Sequence, residues 1–477
     1  MTVDGRRPGD RRVRVERTQP QKFIVKAPKR LRQAPSPAIS LVMVFAILIS
    51  VGTLLLTLPI ATASGVPTRF IDALFTATSA ACVTGLVVVD TGTYWSTFGH
   101  VVILVLIQLG GFGIMAGSTL LLLLFLRRRT TLRDRVLVQE SLGGLQLGTV
   151  TTVVKRIAIF TIVCEVIGAV VLGISFTLGG EAGPPGDLLG VWWGVFHSIS
   201  AFNNAGFDLT GGFRSLIPFV DDWVVLLTIG SLLVLGGLGF AIVGDAIARH
   251  RWSRMALETK LVLTTTGALL VVGTVLIGLT EWTNPATLGA LPAEQRFLNA
   301  FFESATLRTA GFTALDTGAL IESTLFVVMA LMFIGGASGS TAGGIKVNTF
   351  SVLLIAIVST VKGEPSATAF GRRIQHAIVY RALAVAFLAI AFVFVIGLGL
   401  TLTTDATFVQ TLFEAVSAFG TVGASTGITP DLTDPGRLIT SFAMFVGRLG
   451  PLTLVIALAA RAHPVPYRPA VESVRIG

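Results

Sequence analysis

Four glycines constrain this chain more than any other feature. Gly85, Gly206, Gly311 and Gly423 follow one another at spacings of 121, 105 and 112 residues. Ten residues before each stands a phenylalanine: Phe75, Phe196, Phe301 and Phe413. Six residues before each stands a small one: Ser79, Ser200, Ala305 and Ser417. Two copies continue into the same tripeptide, Asp90-Thr91-Gly92 and Asp316-Thr317-Gly318. Recurrence at near-equal intervals marks one structural unit written several times over. Each copy reads as a short helix that runs into an irregular, glycine-bearing strand.

The surroundings of the repeats place them in a membrane. The chain has 477 residues, of which 52% are hydrophobic and only 13% charged. Apolar stretches flank each glycine: 39–61 and 100–126, 157–178 and 222–248, 261–280 and 323–360, 378–402 and 437–460. A hydrocarbon core of roughly 30 Å needs about 20 helical residues, and each stretch is long enough. Irregular backbone at that depth survives only where it is buried in protein or lines a watery cavity. The expected fold is therefore an all-α polytopic membrane protein with eight transmembrane helices. Four pseudo-repeats of span, pore helix, filter strand and span surround one central pore. Their expected boundaries are 38–126, 155–248, 260–360 and 376–460, between a basic N-terminal arm (1–37) and a C-terminal tail (461–477).

Charge placement predicts the orientation. Residues 1–35 hold eleven Lys or Arg, and 127–156, 249–260, 346–381 and 461–477 hold seven, four, five and three more. Elsewhere only Arg69, Arg214, Arg296, Arg308, Arg437 and Arg448 occur. By the positive-inside rule both termini are cytoplasmic, and the repeats enter from outside a plasma (inner) membrane. Most acidic residues fall on the outer side, which concentrates cations there. The net charge of +10 is thus an orientation charge, with lipid contact for the arm and no nucleic-acid partner. The polar, basic start predicts no cleavable signal peptide. No nucleophile–base set or cofactor motif is present, so an enzyme is not expected. Cys82 and Cys164 lie in different repeats, and no Cys or His spacing suits a metal site. His197 reads as a packing residue.

A monovalent cation in a narrow pore must exchange water for several oxygens without a trapping charge, and backbone carbonyls supply them. The candidate ligands are Val83, Thr84 and Gly85; Asn204, Ala205 and Gly206; Thr309, Ala310 and Gly311; and Thr421, Val422 and Gly423. Glycine suits the strand because its backbone takes angles that a side chain penalises. The four strands differ in sequence, which predicts one well-defined ion site at the level of the glycines instead of a row of sites.

The third repeat departs from its siblings. Its second span is interrupted by Gly335, Gly336, Ala337, Ser338, Gly339, Ser340, Thr341, Ala342, Gly343, Gly344, Ile345 and Lys346. Each glycine costs about 1 kcal/mol relative to alanine in a helix, so this run predicts a loop under the filter that moves aside as a gate. Lys346 is the charge there best placed to oppose a cation. Arg308 is expected to brace the pore helices by pairing with Glu303 or Glu414. Arg448, within the last span, suits either an electrostatic barrier or an anchor for the loop. Glu165 has no evident partner, and a neutral or helix-packed carboxyl is expected.

These motifs resemble the Trk/Ktr/HKT superfamily of potassium transporters. The similarity rests on Val83-Thr84-Gly85-Leu86, Asn204-Ala205-Gly206-Phe207-Asp208, Arg308-Thr309-Ala310-Gly311-Phe312, and Thr421-Val422-Gly423 with Ser425-Thr426-Gly427-Ile428-Thr429-Pro430. The interrupted span and Arg448 fit as well, over roughly residues 38 to 460. With eight expected spans the chain is most similar to the Ktr-type (KtrB-like) membrane subunit. The resemblance implies potassium-selective uptake, with K+ as the transported ion, Na+ as an activator and no organic cofactor. It also implies a homodimer and a cytosolic nucleotide-binding regulatory ring of RCK/KTN type. The alternative on the same scaffold is a sodium or mixed monovalent-cation transporter. Departures are Gly339, where relatives often carry a Pro-Gly step, and Ala424 after the last filter glycine.

Overall fold

Long apolar helices and short buried ones alternate along the chain in the order that the repeats demand. The computed structural model describes residues 37–129, 150–178, 183 and 186–450. The N-terminal arm, most of the 127–156 loop, the end of the last span and the C-terminal tail lie outside the described residues. The first unit comprises α1 (Pro37–Leu56), α2 (Phe70–Cys82), a single helical turn α3 (Thr91–Tyr94) and α4 (Thr97–Arg129). The second comprises α5 (Val150–Leu178), α6 (Asp187–Phe202) and α7 (Trp223–Arg249). The third comprises α8 (Leu257–Glu281), α9 (Ala293–Thr306), α10 (Glu322–Met332) and α11 (Val347–Val361). The fourth comprises α12 (His376–Thr403), α13 (Phe408–Gly420) and α14 (Asp434–Leu449). Among the described residues six helices are long and apolar enough to cross a membrane: α1, α4, α5, α7, α8 and α12. The second span of the third unit is instead two short helices, α10 and α11, with the glycine-rich run between them.

The units close on one another. In each, the helix after the filter packs on the pore helix of the next unit: α4 on α6, α7 on α9, α10 on α13, and α14 back on α2. The last contact joins the two ends of the chain's order, so the arrangement is a ring. Ion pairs secure that seam. Arg69 meets Asp434 at 2.8 Å, and Arg437 meets Asp72 while also donating to the Pro430 carbonyl at 2.9 Å.

The pore helices are short because they are buried, and their apolar sides form the core. Phe75, Phe196 and Phe413 are fully buried. The third copy breaks the pattern: Phe301 is 36% exposed, and Phe302 is the buried ring. Here α9 ends at Thr306, five residues before its glycine, whereas α2 and α13 end three before theirs. Counting back from the glycine therefore crosses more non-helical chain in this unit, and the buried face falls one residue later. The shared Asp-Thr-Gly motif is local capping. Asp90 accepts from the Thr93 N–H at 2.9 Å and Asp316 from the Gly318 N–H at 2.9 Å, which gives each strand exit a fixed turn.

The Arg437–Asp72 side chains are only 13% and 10% exposed, against 62% and 52% for Arg69–Asp434. Removing one partner of a buried pair strands the other charge at a cost of about 3 kcal/mol, whereas exposed pairs are worth up to about 1 kcal/mol. Arg437→Met should lower the thermal unfolding midpoint of the detergent-solubilised protein well below that of Arg69→Met. Equal shifts in a fluorescence melt would show that the seam is not held there.

Candidate ion pathway

Two residues before each glycine the backbone is left-handed, directly at the end of α2 and α13 and one or two residues later after α6 and α9, and the strand then alternates. Val83, Asn204, Thr309 and Thr421 have φ of 56°, 59°, 72° and 50°. Gly85, Gly206, Gly311 and Gly423 have φ of 97°, 70°, 75° and 93°. The residue between has no positive φ. In a regular strand successive carbonyls point to opposite sides; reversing the sign of φ at alternate residues turns them towards the same side. The cost of a left-handed side-chain residue, about 1–2 kcal/mol, is met four times over.

The four glycines form a ring. A methyl group placed on Gly85 would lie 2.5 Å from the Ala205 carbonyl oxygen and 3.1 Å from the Gly206 Cα. On Gly206 it would strike the Ala310 carbonyl, on Gly311 the Val422 carbonyl, and on Gly423 the Thr84 carbonyl. Each strand thus abuts the next in chain order, and the fourth abuts the first. Above the ring opens a cavity of about 210 Å³, lined by the four glycines together with Asp208, Thr313, Ser425 and Thr429. Asp208 is the one charged residue among those lining this cavity; the sequence motif contained it without marking it as a candidate.

The strands are held from behind by their own helices. The Gly85 N–H donates to Ser79 Oγ at 3.1 Å and the Gly423 N–H to Ser417 Oγ at 3.2 Å. Ser200 instead donates to the Phe207 carbonyl at 2.8 Å. The third copy, with Ala305, turns the Gly311 N–H to the Thr306 carbonyl at 3.4 Å. The small residue of the repeat is therefore a filter brace in three units of four.

Arg308 does not pair with Glu303 or Glu414. Its guanidinium donates to the Gly335 carbonyl at 3.1 Å. Glu303 accepts from the N–H groups of Ala314 (2.8 Å) and Leu315 (3.2 Å), and Glu414 accepts from the Thr429 hydroxyl. Both carboxyls tie the chain after the glycine back to the pore helix, Glu303 through backbone N–H groups and Glu414 through a hydroxyl, so the arginine donates elsewhere. Glu165 has two partners: Gln108 Nε2 of α4 at 3.1 Å and Nδ2 of Asn203, the residue after α6, at 3.0 Å. His197 is a packing residue, buried, with Nδ1 at 2.8 Å from the Trp193 carbonyl. Cys82 and Cys164 are free thiols.

Beneath the ring sits the glycine-rich run, residues 333–346, as a seated loop. Its ends join where the Gly335 N–H donates to the Ile345 carbonyl at 2.8 Å and the Val347 N–H to the Gly336 carbonyl at 2.9 Å. A methyl on Gly343 would collide with Thr421 Oγ1, and one on Gly335 would lie 3.1 Å from Thr309 Cγ2. The loop is thus pressed against the lower side chains of two filter strands. Gly344 takes φ 59° under Gly420, and Gly339 takes φ 78°. A break in α7 receives the loop: Gly239 is non-helical (φ 74°, ψ 159°), and Ala337 N–H donates to the Gly237 carbonyl at 2.8 Å. Sequence reading missed this dock, although Gly236-Gly237-Leu238-Gly239 within a span was its signal.

Thr341 is where the loop is tied down. Its hydroxyl donates to Asn204 Oδ1 at 2.7 Å, its N–H to the Gly236 carbonyl at 3.3 Å, and its carbonyl accepts from Arg448. Arg448 also donates to the Gly110 carbonyl at 3.1 Å, so the fourth unit holds the loop of the third against α4 of the first. Lys346 turns back onto the Ala342 carbonyl, and Ser340 onto the Ala337 carbonyl at 2.7 Å. Ser338 is exposed, and its N–H donates to Asn348 Oδ1 at 2.9 Å.

The comparisons with known proteins follow this geometry. Residues 18–466 match the TrkH family model, described as a cation transport protein. This chain belongs to the TrkH/Ktr family of cation transporters. It is 41% identical over 416 residues to the Ktr system potassium uptake protein B of Bacillus subtilis, covering 87% of this chain and 91% of that one. It is 38% identical over 456 residues to the potassium/sodium uptake protein NtpJ of Enterococcus hirae, covering 94% and 99%. The crystal structure of the potassium transporter TrkH from Vibrio parahaemolyticus superposes with a TM-score of 0.68 at 19% identity, over 90% of this chain and 86% of that one. The resemblance drawn from the filter motifs is borne out, as is a helical, multi-pass membrane protein of a family that transports and does not catalyse.

A charge-assisted hydrogen bond contributes about 1.5–3 kcal/mol, so Arg448→Gln should raise the unseated population of the loop roughly tenfold or more. Peptides spanning residues 335–346 should exchange amide hydrogens correspondingly faster in that variant. Wild-type exchange rates would mean that Arg448 does not anchor the loop.

Proposed function

We propose that this protein is a potassium-selective uptake pore. The reading is carried by one observation, the closed ring of Gly85, Gly206, Gly311 and Gly423 with left-handed backbone two residues ahead of each. K+ sheds water at the mouth, where Asp208 supplies negative potential, and takes carbonyl oxygens of residues 83–85, 204–206, 309–311 and 421–423 in exchange. Carbonyl dipoles suit a monovalent ion, since they stabilise it without the full charge that would trap it or favour divalent cations. The ion then meets the loop from Gly335 to Lys346. The loop gates the pore, with Arg308 and Arg448 as its anchors and Lys346 as the charge next to the pathway.

Relatives named as parts of a Ktr system support a membrane subunit that works with others. The partners we assign are a second copy and a cytosolic nucleotide-binding ring of RCK/KTN type. Na+ acts as an activator, and both termini face the cytoplasm of a plasma (inner) membrane. A second reading, a mixed potassium and sodium conductor, is favoured by the likeness to the potassium/sodium uptake protein.

Reversal potentials under opposed K+ and Na+ gradients separate the two readings. A potassium filter shifts with the K+ gradient alone, and equal permeabilities would refute it. Gly85→Ser or Gly423→Ser forces a side chain into left-handed backbone facing a carbonyl, and should cut the K+ over Na+ preference by about tenfold or more, at least ~1.4 kcal/mol of lost discrimination. Unchanged selectivity in both variants would remove the filter assignment. Deleting Gly339–Gly343 should raise K+ flux in the purified, reconstituted protein; wild-type flux would mean that the loop is no gate.

A further inference from the structure

The apolar surface of a membrane protein is mostly convex, and a concave stretch with a basic rim calls for an explanation. One lies between α8 and α11, with a volume of about 590 Å³. That is within the roughly 300–1,000 Å³ of sites that enclose small ligands. Leu261, Ala268, Val272, Leu354 and Ile355 form its walls, and Thr265 and Ser351 meet at its floor, 2.8 Å apart. At one end a two-stranded hairpin closes it: β1 (Thr368–Ala369) and β2 (Arg372–Arg373).

The turn of that hairpin is strained. Phe370 and Gly371 have φ of 49° and 72°, and a bulky residue pays for left-handed backbone. In return Phe370 is placed on the lining of the groove, 5.9 Å from the Trp252 ring and 5.8 Å from Lys260 Nζ. Ala369 lines the groove as well, and Arg372 is its directly opposed partner in the hairpin. Opposed residues of an antiparallel pair project from the same face, so Arg372 rises beside the opening. Arg372, Arg373 and Trp252 are all exposed. Aromatic rings and Lys/Arg at the end of a membrane-facing groove are the arrangement that meets lipid headgroups.

We propose that this groove binds one anionic phospholipid, an acyl chain between α8 and α11 and the phosphate at the exposed Arg372; Lys260, buried and donating to the Ser253 carbonyl at 3.4 Å, adds positive charge from behind Phe370. The site connects to the loop under the filter. Glu258, in the first turn of α8, accepts from Asn348 Nδ2 at 2.6 Å, and Asn348 in turn accepts from the Ser338 N–H of the loop. A lipid bridging α8 and α11 fits the form in which this chain of contacts is made. By linkage, binding to that form stabilises it, so bound anionic lipid holds the loop seated and lowers flux. The binding site itself does not depend on the ion-pathway reading, whereas its coupling to flux does.

Native mass spectrometry of the full-length protein, titrated with phosphatidylglycerol or phosphatidylcholine, tests the site with no ion present. Phosphatidylglycerol should bind at lower concentration. Arg372→Gln should raise its half-saturation about fivefold, the contribution of one arginine near an anionic headgroup, without changing phosphatidylcholine. Ala268→Trp, a lipid-facing change that fills the groove, should remove the tight phosphatidylglycerol adduct. Equal affinities for the two lipids, or an Arg372→Gln protein that binds as wild type does, would overturn the proposal. So would cross-linking of Leu354→Cys copies to one another, which would make the groove a seam between protomers. In vesicles, raising phosphatidylglycerol should lower K+ flux of the wild type and leave Ala268→Trp unmoved. Flux indifferent to lipid in a conducting wild-type protein would overturn the regulatory half alone.

Discussion

The structure depends on one steric fact: each filter glycine lies against the carbonyl that precedes the next one. No side chain fits there, because the neighbouring oxygen occupies the space and the φ values add a penalty. Everything outside the ring serves to press the four strands together. The helix after each of these strands packs on the next pore helix, and one buried and one exposed ion pair close the circle where the chain's first and last units meet. A ring of unlike strands has no symmetry to enforce its closure, so each contact is secured by a different device. Serine hydroxyls hold Gly85 and Gly423, the Glu303 carboxyl holds the chain after Gly311, and the Gln108–Glu165–Asn203 cluster stands behind the second strand.

The glycine-rich loop uses the reverse logic. It has few apolar side chains to bury, so its position is set by hydrogen bonds to its backbone. Two buried arginines supply one each. Neither has a carboxylate partner among the described residues; Arg308 donates to Gly335 and Arg448 to Thr341 and Gly110. Burying a cation without a counter-charge is expensive, and carbonyl dipoles offset only part of that cost. A segment held this way is specified in position by a few polar contacts and buries little apolar surface, which are features of the less stable parts of a fold.

Repetition made the four-unit plan legible in the sequence, because glycine spacing and apolar runs are both local signals. The left-handed residues ahead of each glycine were not legible: Val83 and Thr421 are β-branched and argue against such backbone. They are held there by helix-end hydrogen bonds, such as the Thr84 N–H to the Ser79 carbonyl at 2.8 Å. The partners of Arg308 were misjudged for a related reason. Charge complementarity is visible in a sequence, whereas a backbone carbonyl carries no letter of its own. The same blindness hid the dock at Gly236–Gly239, where helix carbonyls freed by a kink become acceptors for a loop a hundred residues away.

Four fused repeats permit what identical subunits do not. Had all four second spans been interrupted, four loops would crowd one axis and no helix would be left to receive any of them. Among the described residues only the third unit's second span is opened into a loop, and two neighbours hold it: α7, kinked at Gly239, through Gly236 and Gly237, and α14 through Arg448. Asn204 adds a further consequence, since its side chain accepts from Thr341 while its backbone belongs to the second filter strand. Displacing the loop must then either break that bond or shift the strand, so the loop and the second glycine-bearing strand are coupled through one side chain.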